Sequence, residues 1–193
     1  MKLASCKIDS KFGDFELFCF NYGIHEDENI LCLKTPNPSD NPLIRVQSAC
    51  FTAEIFRSKD CDCHEQLETS LSRIHKEGGY LIYLLQDGRG AGIFEKVKGL
   101  KLGETDGLDT ADAYTHLGIE LDPRKYDQLK DVFSYFKIKK ATLLTNNPRK
   151  IIGLENLGIE VKREPLEIEP TENSKPYLLT KKIKLGHLFN KYL

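Results

Sequence analysis

The sequence predicts an α/β protein, a layered single domain with a mixed β-sheet flanked by helices. Three observations predict it. Strand-like patterns dominate the first 50 residues, and strand and helix patterns then alternate from about residue 64 to 162, as in a layered α/β core. The chain has 193 residues, 40% of them hydrophobic, enough to bury one sizeable core. The expected division is one domain over 1–193, with a strand-rich part to about 50, an α/β core over about 51–165 and a tail over about 166–193.

Each element has its own justification. Asp14 to Phe20 alternates polar and apolar residues, the period-2 mark of a half-buried strand. Ile30 to Leu33 is a second strand. Thr35 to Pro42 holds three prolines among turn formers and reads as a loop, and Leu43 to Val46 follows as a short strand. From His64, Leu67, Leu71 and Ile74 recur at helical spacing until Gly78-Gly79 closes the run. Tyr80 to Leu85 reads as a buried strand ending in the glycine-dense turn Gln86 to Gly92. Helices are expected over about Phe94–Leu102 and Thr110–Leu117. Asp122-Pro123 supplies the cap and first-turn residues of another helix, with Leu129, Val132 and Phe136 on its apolar stripe. Ala141 to Leu144 is a buried strand, Ile151 to Leu157 a helix, and Ile159 to Val161 a returning strand.

Composition excludes several classes of function. The 28 basic residues nearly cancel the 29 acidic ones, so no field draws the chain to nucleic acid or an anionic membrane. The longest apolar run, Tyr80 to Leu85, is far too short to span a bilayer, and the N-terminus shows no long apolar signal region. A cytoplasmic location is expected, where six cysteines stay mostly reduced. Cys6, Cys19 and Cys32 are scattered and read as packing residues.

Cys50-x10-Cys61-x-Cys63 is a local group. Three thiolates suit zinc, and three protein ligands plus water is how catalytic zinc is commonly held. Such a metal lowers the pKa of its bound water towards neutrality. Three cysteines that merely lie close in sequence are the alternative, and spacing leaves both open. A redox pair is disfavoured, because C-x-C thiols close a strained ring. His64 is the nearby candidate for a fourth ligand, although its place beside Cys63 points it elsewhere.

Two strand-to-helix junctions suit an anion. Asp87-Gly88-Arg89-Gly90-Ala91-Gly92 could bring backbone amides close to a phosphate, yet it matches neither a Walker A loop nor a dinucleotide fingerprint and could equally be a plain turn. Arg149 and Lys150 follow Thr145-Asn146-Asn147-Pro148 in the first helical turn, where cations oppose the helix dipole. A bound phosphate would explain them; a solvated surface pair is the other reading. Asp122 and Arg124 place a carboxylate and a guanidinium two residues apart. His25, His75, His116 and His187 have no partner at useful spacing.

Together these pieces resemble the GTP cyclohydrolase II family of riboflavin synthesis. The likeness runs in order from about Leu43 to His187 through Arg45-Val46-x-Ser48-x-Cys50, Cys61-Asp62-Cys63, Gln86-Asp87-Gly88-Arg89, Asp109-Thr110, Leu117-Gly118, Asp122-x-Arg124, Leu143 to Pro148 and Gly186-His187-Leu188. The resemblance implies one zinc ion per chain on Cys50, Cys61 and Cys63, whose water opens the guanine imidazole ring with eventual loss of formate. It implies that Arg124 is the nucleophile displacing pyrophosphate, that Asp122 accepts the proton, and that Mg²⁺ neutralises the triphosphate. The nucleotide contacts carry over to Arg45, Ser48, Gln66, Asp87, Gly88, Arg89, Thr110, Thr145 and Lys150. The product would be a diaminopyrimidinone ribosyl phosphate and the assembly a homodimer; the chain has no room for the butanone-phosphate synthase domain fused to some members.

Several positions depart from the family pattern. Gln47-Ser48-Ala49-Cys50 stands where the family has His-Ser-Glu-Cys, and Asp87 where it has Glu. A family tyrosine aligns with Leu100, or with Gly99 or Lys101 after a one-residue shift. Losing a positioned proton donor or acceptor costs roughly 10²–10⁴-fold in rate. Three readings follow: the full GTP cyclohydrolase II reaction; a variant that keeps the formyl group or takes another purine nucleotide; and a non-catalytic zinc- and nucleotide-binding regulator.

Overall fold

In the computed structural model, which describes residues 1–23 and 25–193, the alternating N-terminal run forms the inner strand of a hairpin. β1 (Lys2–Ser10) and β2 (Gly13–Asn21) pair antiparallel. With β3 (Ile30–Lys34), β4 (Leu43–Ser48), β5 (Gly79–Leu84), β6 (Lys140–Leu144) and β7 (Glu160–Glu164) they build a seven-stranded sheet in the order β1-β2-β3-β5-β4-β6-β7. The pairs β1–β2, β2–β3 and β3–β5 are antiparallel, whereas β4–β6 and β6–β7 are parallel. The sheet is therefore mixed, and the fold is α/β as expected. The helices are α1 (Phe51–Glu54), α2 (Cys63–Glu77), α3 (Ile93–Asp106), α4 (Thr110–His116), α5 (Leu129–Tyr135), α6 (Pro148–Glu155) and α7 (Lys175–Leu185).

The described residues form two compact units. The first comprises Met1–Gln47, Leu67–Leu85 and Lys125–Leu166; the second comprises Ser48–Gln66, Gln86–Arg124 and Glu167–Leu193.

The first unit contains the sheet. Side chains on a strand point alternately to opposite faces, and the apolar positions obey that rule on both sides. Phe18, Phe20, Ile44, Val46, Tyr80 and Ile82 join Leu129, Val132 and Phe133 of α5 and Leu154 of α6 in one core. Phe15, Leu43, Leu81 and Leu144 take the other face, with Ile74 of α2. Each fully buried Phe, Leu or Ile contributes about 1.5–3 kcal/mol, so apolar burial holds this unit. Gly79 is needed where β5 passes Leu43: a Cβ there would come 1.9 Å from the Leu43 carbonyl oxygen.

The second unit is built of short helices and loops. α3 packs on α4 and α4 on α7. Its buried positions include Ala53, Ala111, Ala113, Tyr114 and Leu178, but also Asp62, Gln66, Asp87 and Asp122.

Several expectations need correction. No helix begins at Asp122: α5 starts at Leu129, and both Asp122 oxygens engage the Arg124 guanidinium. The segment read as a tail contains α7, eleven residues long. α6 begins at Pro148, not Ile151, with the Asn147 side chain accepting from the Arg149 amide. β1 was invisible because it is an edge strand with its first six residues exposed; without a buried face it carries no apolar period. Cys6 on that strand is exposed rather than packed, whereas Cys32 is buried.

Candidate active site

The second unit brings the three cysteines together. Cys50 precedes α1, Cys61 ends the following loop and Cys63 opens α2. Their sulfur atoms all lie within 4.8 Å of one another, and the Sγ atoms of Cys50 and Cys61 are 3.8 Å apart. Tetrahedral zinc with Zn–S bonds of about 2.3 Å requires sulfur separations of about 3.8 Å, so the donor set fits that metal with little movement. The Lys96 ammonium donates to Cys50 Sγ at 3.1 Å. Hydrogen bonds from Cys61 and Cys63, together with the Lys96 charge, outweigh burial and hold the Cys50 thiol well below its ordinary pKa. The same sharing pushes Cys61 up to about 11 and holds Cys63 well above its ordinary value, with burial adding to both. His64 turns its Nδ1 to Arg57 Nη1 at 2.7 Å, and among the described residues the cluster consists of the three cysteines. A cavity of about 510 Å³ reaches Cys61 and Asp62 past Arg57 and Lys59, a volume within the range of small-molecule pockets.

The glycine-dense turn lies in the same unit. Gly88, Arg89 and Gly90 all have positive φ (58°, 56° and 91°); for Arg89 this left-handed backbone costs roughly 1–2 kcal/mol. Arg89 lies over the Tyr114 ring at 4.4 Å and donates to the Leu121 and Thr110 carbonyls and to the Thr110 hydroxyl. A Cβ on Gly90 would sit 3.2 Å from Arg124 Cγ, so the missing side chain lets Arg124 pass. Asp87 is 3% exposed. Its carboxylate accepts from the amides of Phe51 and Gly88 and from Lys96 Nζ at 2.9 Å. Here it ties the turn to the segment that carries Cys50.

Arg124 and Asp122 form a fork: Nε to Oδ1 at 2.6 Å and Nη2 to Oδ2 at 2.7 Å, the two-point geometry favoured by guanidinium and carboxylate. Arg124 Nη1 also donates to Ser48 Oγ at 3.3 Å. Gln66 donates to Asp62 Oδ2 at 2.6 Å.

The other expected contacts belong to the first unit. Arg45 donates to Gln47 Oε1 and to the Leu144 carbonyl, each at 2.9 Å. Thr145 Oγ1 accepts from the Asn147 amide. Lys150, 5% exposed, donates to the Val46 carbonyl at 2.7 Å, which removes the solvated-pair reading for Lys150; Arg149 is exposed.

The departures have a structural setting. Ala49 is buried and brings no carboxylate. Leu100 is 47% exposed, Gly99 lies against the Tyr114 ring and Lys101 pairs with Glu104, so no phenol comes from α3 at these positions.

Sequence reading missed Lys96, Asp62 and the whole of α7. Lys181 Nζ on α7 lies 3.5 Å from Asp62 Oδ1 and over the Tyr177 ring at 4.3 Å. Burial opposes its charge, but Tyr177, Asp62 and Cys63 outweigh burial and raise its pKa. A signal was present: Pro176 near the start and Gly186 just past the end are the asymmetric marks of a helix, with Tyr177 and Lys181 on one face.

The second unit thus holds three cysteines that could bind a metal, an arginine in a left-handed turn and a guanidinium–carboxylate fork, the kind of side-chain set an enzyme active site uses. A sequence profile described as GTP cyclohydrolase II matches residues 1–165. The GTP cyclohydrolase-2 of Helicobacter pylori strain P12 is 43% identical over 183 residues, 94% of each chain. The riboflavin biosynthesis protein RibBA of Chlorobium phaeovibrioides is 40% identical over 95% of this chain and 45% of its own length. A solved two-domain 3,4-dihydroxy-2-butanone 4-phosphate synthase from A. baumannii aligns at 14% identity and a TM-score of 0.39 over 74% of this chain and 33% of that one, a likeness too slight to bear on the fold. The chain belongs to the GTP cyclohydrolase II family and is an enzyme of that kind. Among the described residues no helix is long and apolar enough to cross a membrane.

Proposed function

We propose that this chain is a zinc-dependent GTP cyclohydrolase II that opens the imidazole ring of GTP, releases formate and pyrophosphate, and serves riboflavin synthesis. The observation that carries this reading is one unit holding three cysteine sulfurs within 4.8 Å and the Arg124–Asp122 fork. Zinc on Cys50, Cys61 and Cys63 would supply Lewis-acid activation of the water that attacks the guanine ring.

The chain's own residues do the rest. For pyrophosphate release, an Arg124 nitrogen forms a bond to the α-phosphorus while the bond to the bridging oxygen breaks, and pyrophosphate leaves with the electron pair. Water later cleaves the new phosphorus–nitrogen bond, which frees Arg124 and leaves the 5′-phosphate on the product. A guanidinium is a poor nucleophile while charged. Its proton must therefore go to a base, and Asp122 Oδ1 stands 2.6 Å from Nε. Mg²⁺ accompanies the triphosphate. Gln66, Ser48 and the Asp87-Gly88-Arg89 turn, with Thr110 under the Arg89 guanidinium, orient the nucleotide; Arg45, Thr145 and Lys150 are proposed contacts on the strength of the resemblance. The active form is a homodimer working in the cytoplasm, where thiols stay reduced.

A second reading rests on Ala49 and Leu100. With no carboxylate at 49 and no phenol at 100, ring opening would proceed but the formyl group would stay. Incubating zinc-loaded protein with GTP and Mg²⁺, then weighing the nucleotide products by mass spectrometry, separates the readings. A deformylated pyrimidine supports the full reaction, a formylamino product the arrested one. GTP left intact by protein holding one zinc per chain would overturn both; the same incubation with other purine nucleotides then separates a variant of altered base preference from a non-catalytic nucleotide-binding regulator.

A further inference from the structure

α7 lies beyond residue 165, where the family profile ends, yet it makes specific polar ties to the segments that carry the site. Lys181, 13% exposed in its side chain, is paired with Asp62, 3% exposed in its side chain, at 3.5 Å. Asp62 stands between Cys61 and Cys63, and its other oxygen accepts from Gln66 at 2.6 Å. One helical turn is thereby linked to the C-x-C bend and to a proposed nucleotide contact. One residue before Lys181, the Thr180 hydroxyl donates to Asp109 Oδ2 at 3.3 Å. One turn beyond Thr180, Lys184 pairs with the same oxygen and with Asp112, each at 2.7 Å. Asp109 caps α4 by accepting from the Ala111 and Asp112 amides, and the next residue, Thr110, receives Arg89. Two adjoining positions of α7 thus reach both the C-x-C bend and the Thr110–Arg89 contact.

We propose that α7 is a positioning strap of the active site, in which Lys181 acts through Asp62 to hold Gln66 and the Cys61–Cys63 bend in working geometry. A buried carboxylate is unfavourable without a cation. Removing the ammonium would force Asp62 to rotate or take up water, and Gln66 would lose its fixed acceptor. Lys181 touches no reacting atom; it positions residues that do. The role assigned to Gln66 rests on the function proposed above, whereas the tie from Lys181 to the bend does not.

The test uses full-length Lys181→Met, Lys181→Arg and the double variant Asp62→Asn/Lys181→Met. Leu178→Ala serves as a control that weakens α7 while keeping Lys181. Amide hydrogen exchange of residues 61–66 in metal-free protein reads the strap without any activity. GTP turnover of the zinc-loaded protein then reads Gln66. Lys181→Met should speed exchange of that segment and raise KM about 10-fold or more with a smaller change in kcat, the loss expected for a hydrogen bond to a charged group. Lys181→Arg and the double variant should recover most of both, since each leaves no unpaired buried charge. Wild-type exchange in Lys181→Met would overturn the proposal, as would an equal KM rise in Leu178→Ala. If wild-type protein does not turn over GTP, the proposed function fails, while the exchange comparison still decides the strap.

Discussion

The two units are held by different forces. In the first, the interior is Phe, Ile, Leu and Val on both faces of one sheet, and stability comes from apolar burial spread over many residues. In the second, the buried positions include three aspartates, each set against a cation: Asp62 with Lys181, Asp87 with Lys96, Asp122 with Arg124. Buried ion pairs add little net stability, because desolvation offsets their attraction, but losing one partner is costly. The sheet unit should therefore tolerate conservative repacking, while the site unit should be brittle to loss of either partner of these buried pairs.

The sharpest way to break that contrast is at the metal. Cys61→Ser should lose stoichiometric zinc and all measurable turnover while leaving the sheet folded; zinc content and circular dichroism on one preparation check both halves. In the opposite direction, Ile82→Ala in the sheet should cost about 2–5 kcal/mol of stability yet leave zinc content at one per chain, as urea unfolding with metal analysis would show. Lys96→Met is a subtler break. Losing the ammonium that supports Cys50 and Asp87 should weaken metal affinity about 10–100-fold, the usual effect of a partner behind a ligand, measured by competition with a chromogenic chelator.

The smallest effect concerns Asp109. Burial alone would raise its pKa, but Lys184 and the Asp112 and Ala111 amides outweigh it and hold the carboxyl below the ordinary value. A folded-state pKa below the unfolded one contributes stability above about pH 4 that is lost as pH falls through the folded value. Asp109→Asn should lie slightly below wild type in urea midpoint at pH 7, and the gap should close in acid.

The same contrast explains what could be read in advance. β2, β5 and β6 were legible because each buries apolar residues at strand spacing against a core, and the helical stretch from His64 because Leu67, Leu71 and Ile74 share one face. In the second unit the signal is chemical, carried by cysteines, glycines and paired charges whose meaning depends on distant residues. Lys96 reads as one surface lysine among many until the fold sets it against Cys50 and Asp87. Asp122 was misread for the same reason: a carboxylate before proline suits a helix cap, and only Arg124, folded back upon it, shows its actual partner. α7 carried both of its boundary signals, but its apolar residues do not share one buried stripe: Leu178 is buried while Ile183 is 76% exposed.

If the cysteine cluster and the Arg124–Asp122 fork serve one reaction on GTP, the same protein must release both of its products. Measuring formate and pyrophosphate released from the same sample of zinc-loaded protein, with a chelator-stripped control, tests it most directly. Both products in equal amounts, with formate lost on stripping and restored by zinc, is the predicted result. Zinc-loaded protein that releases neither product would contradict it.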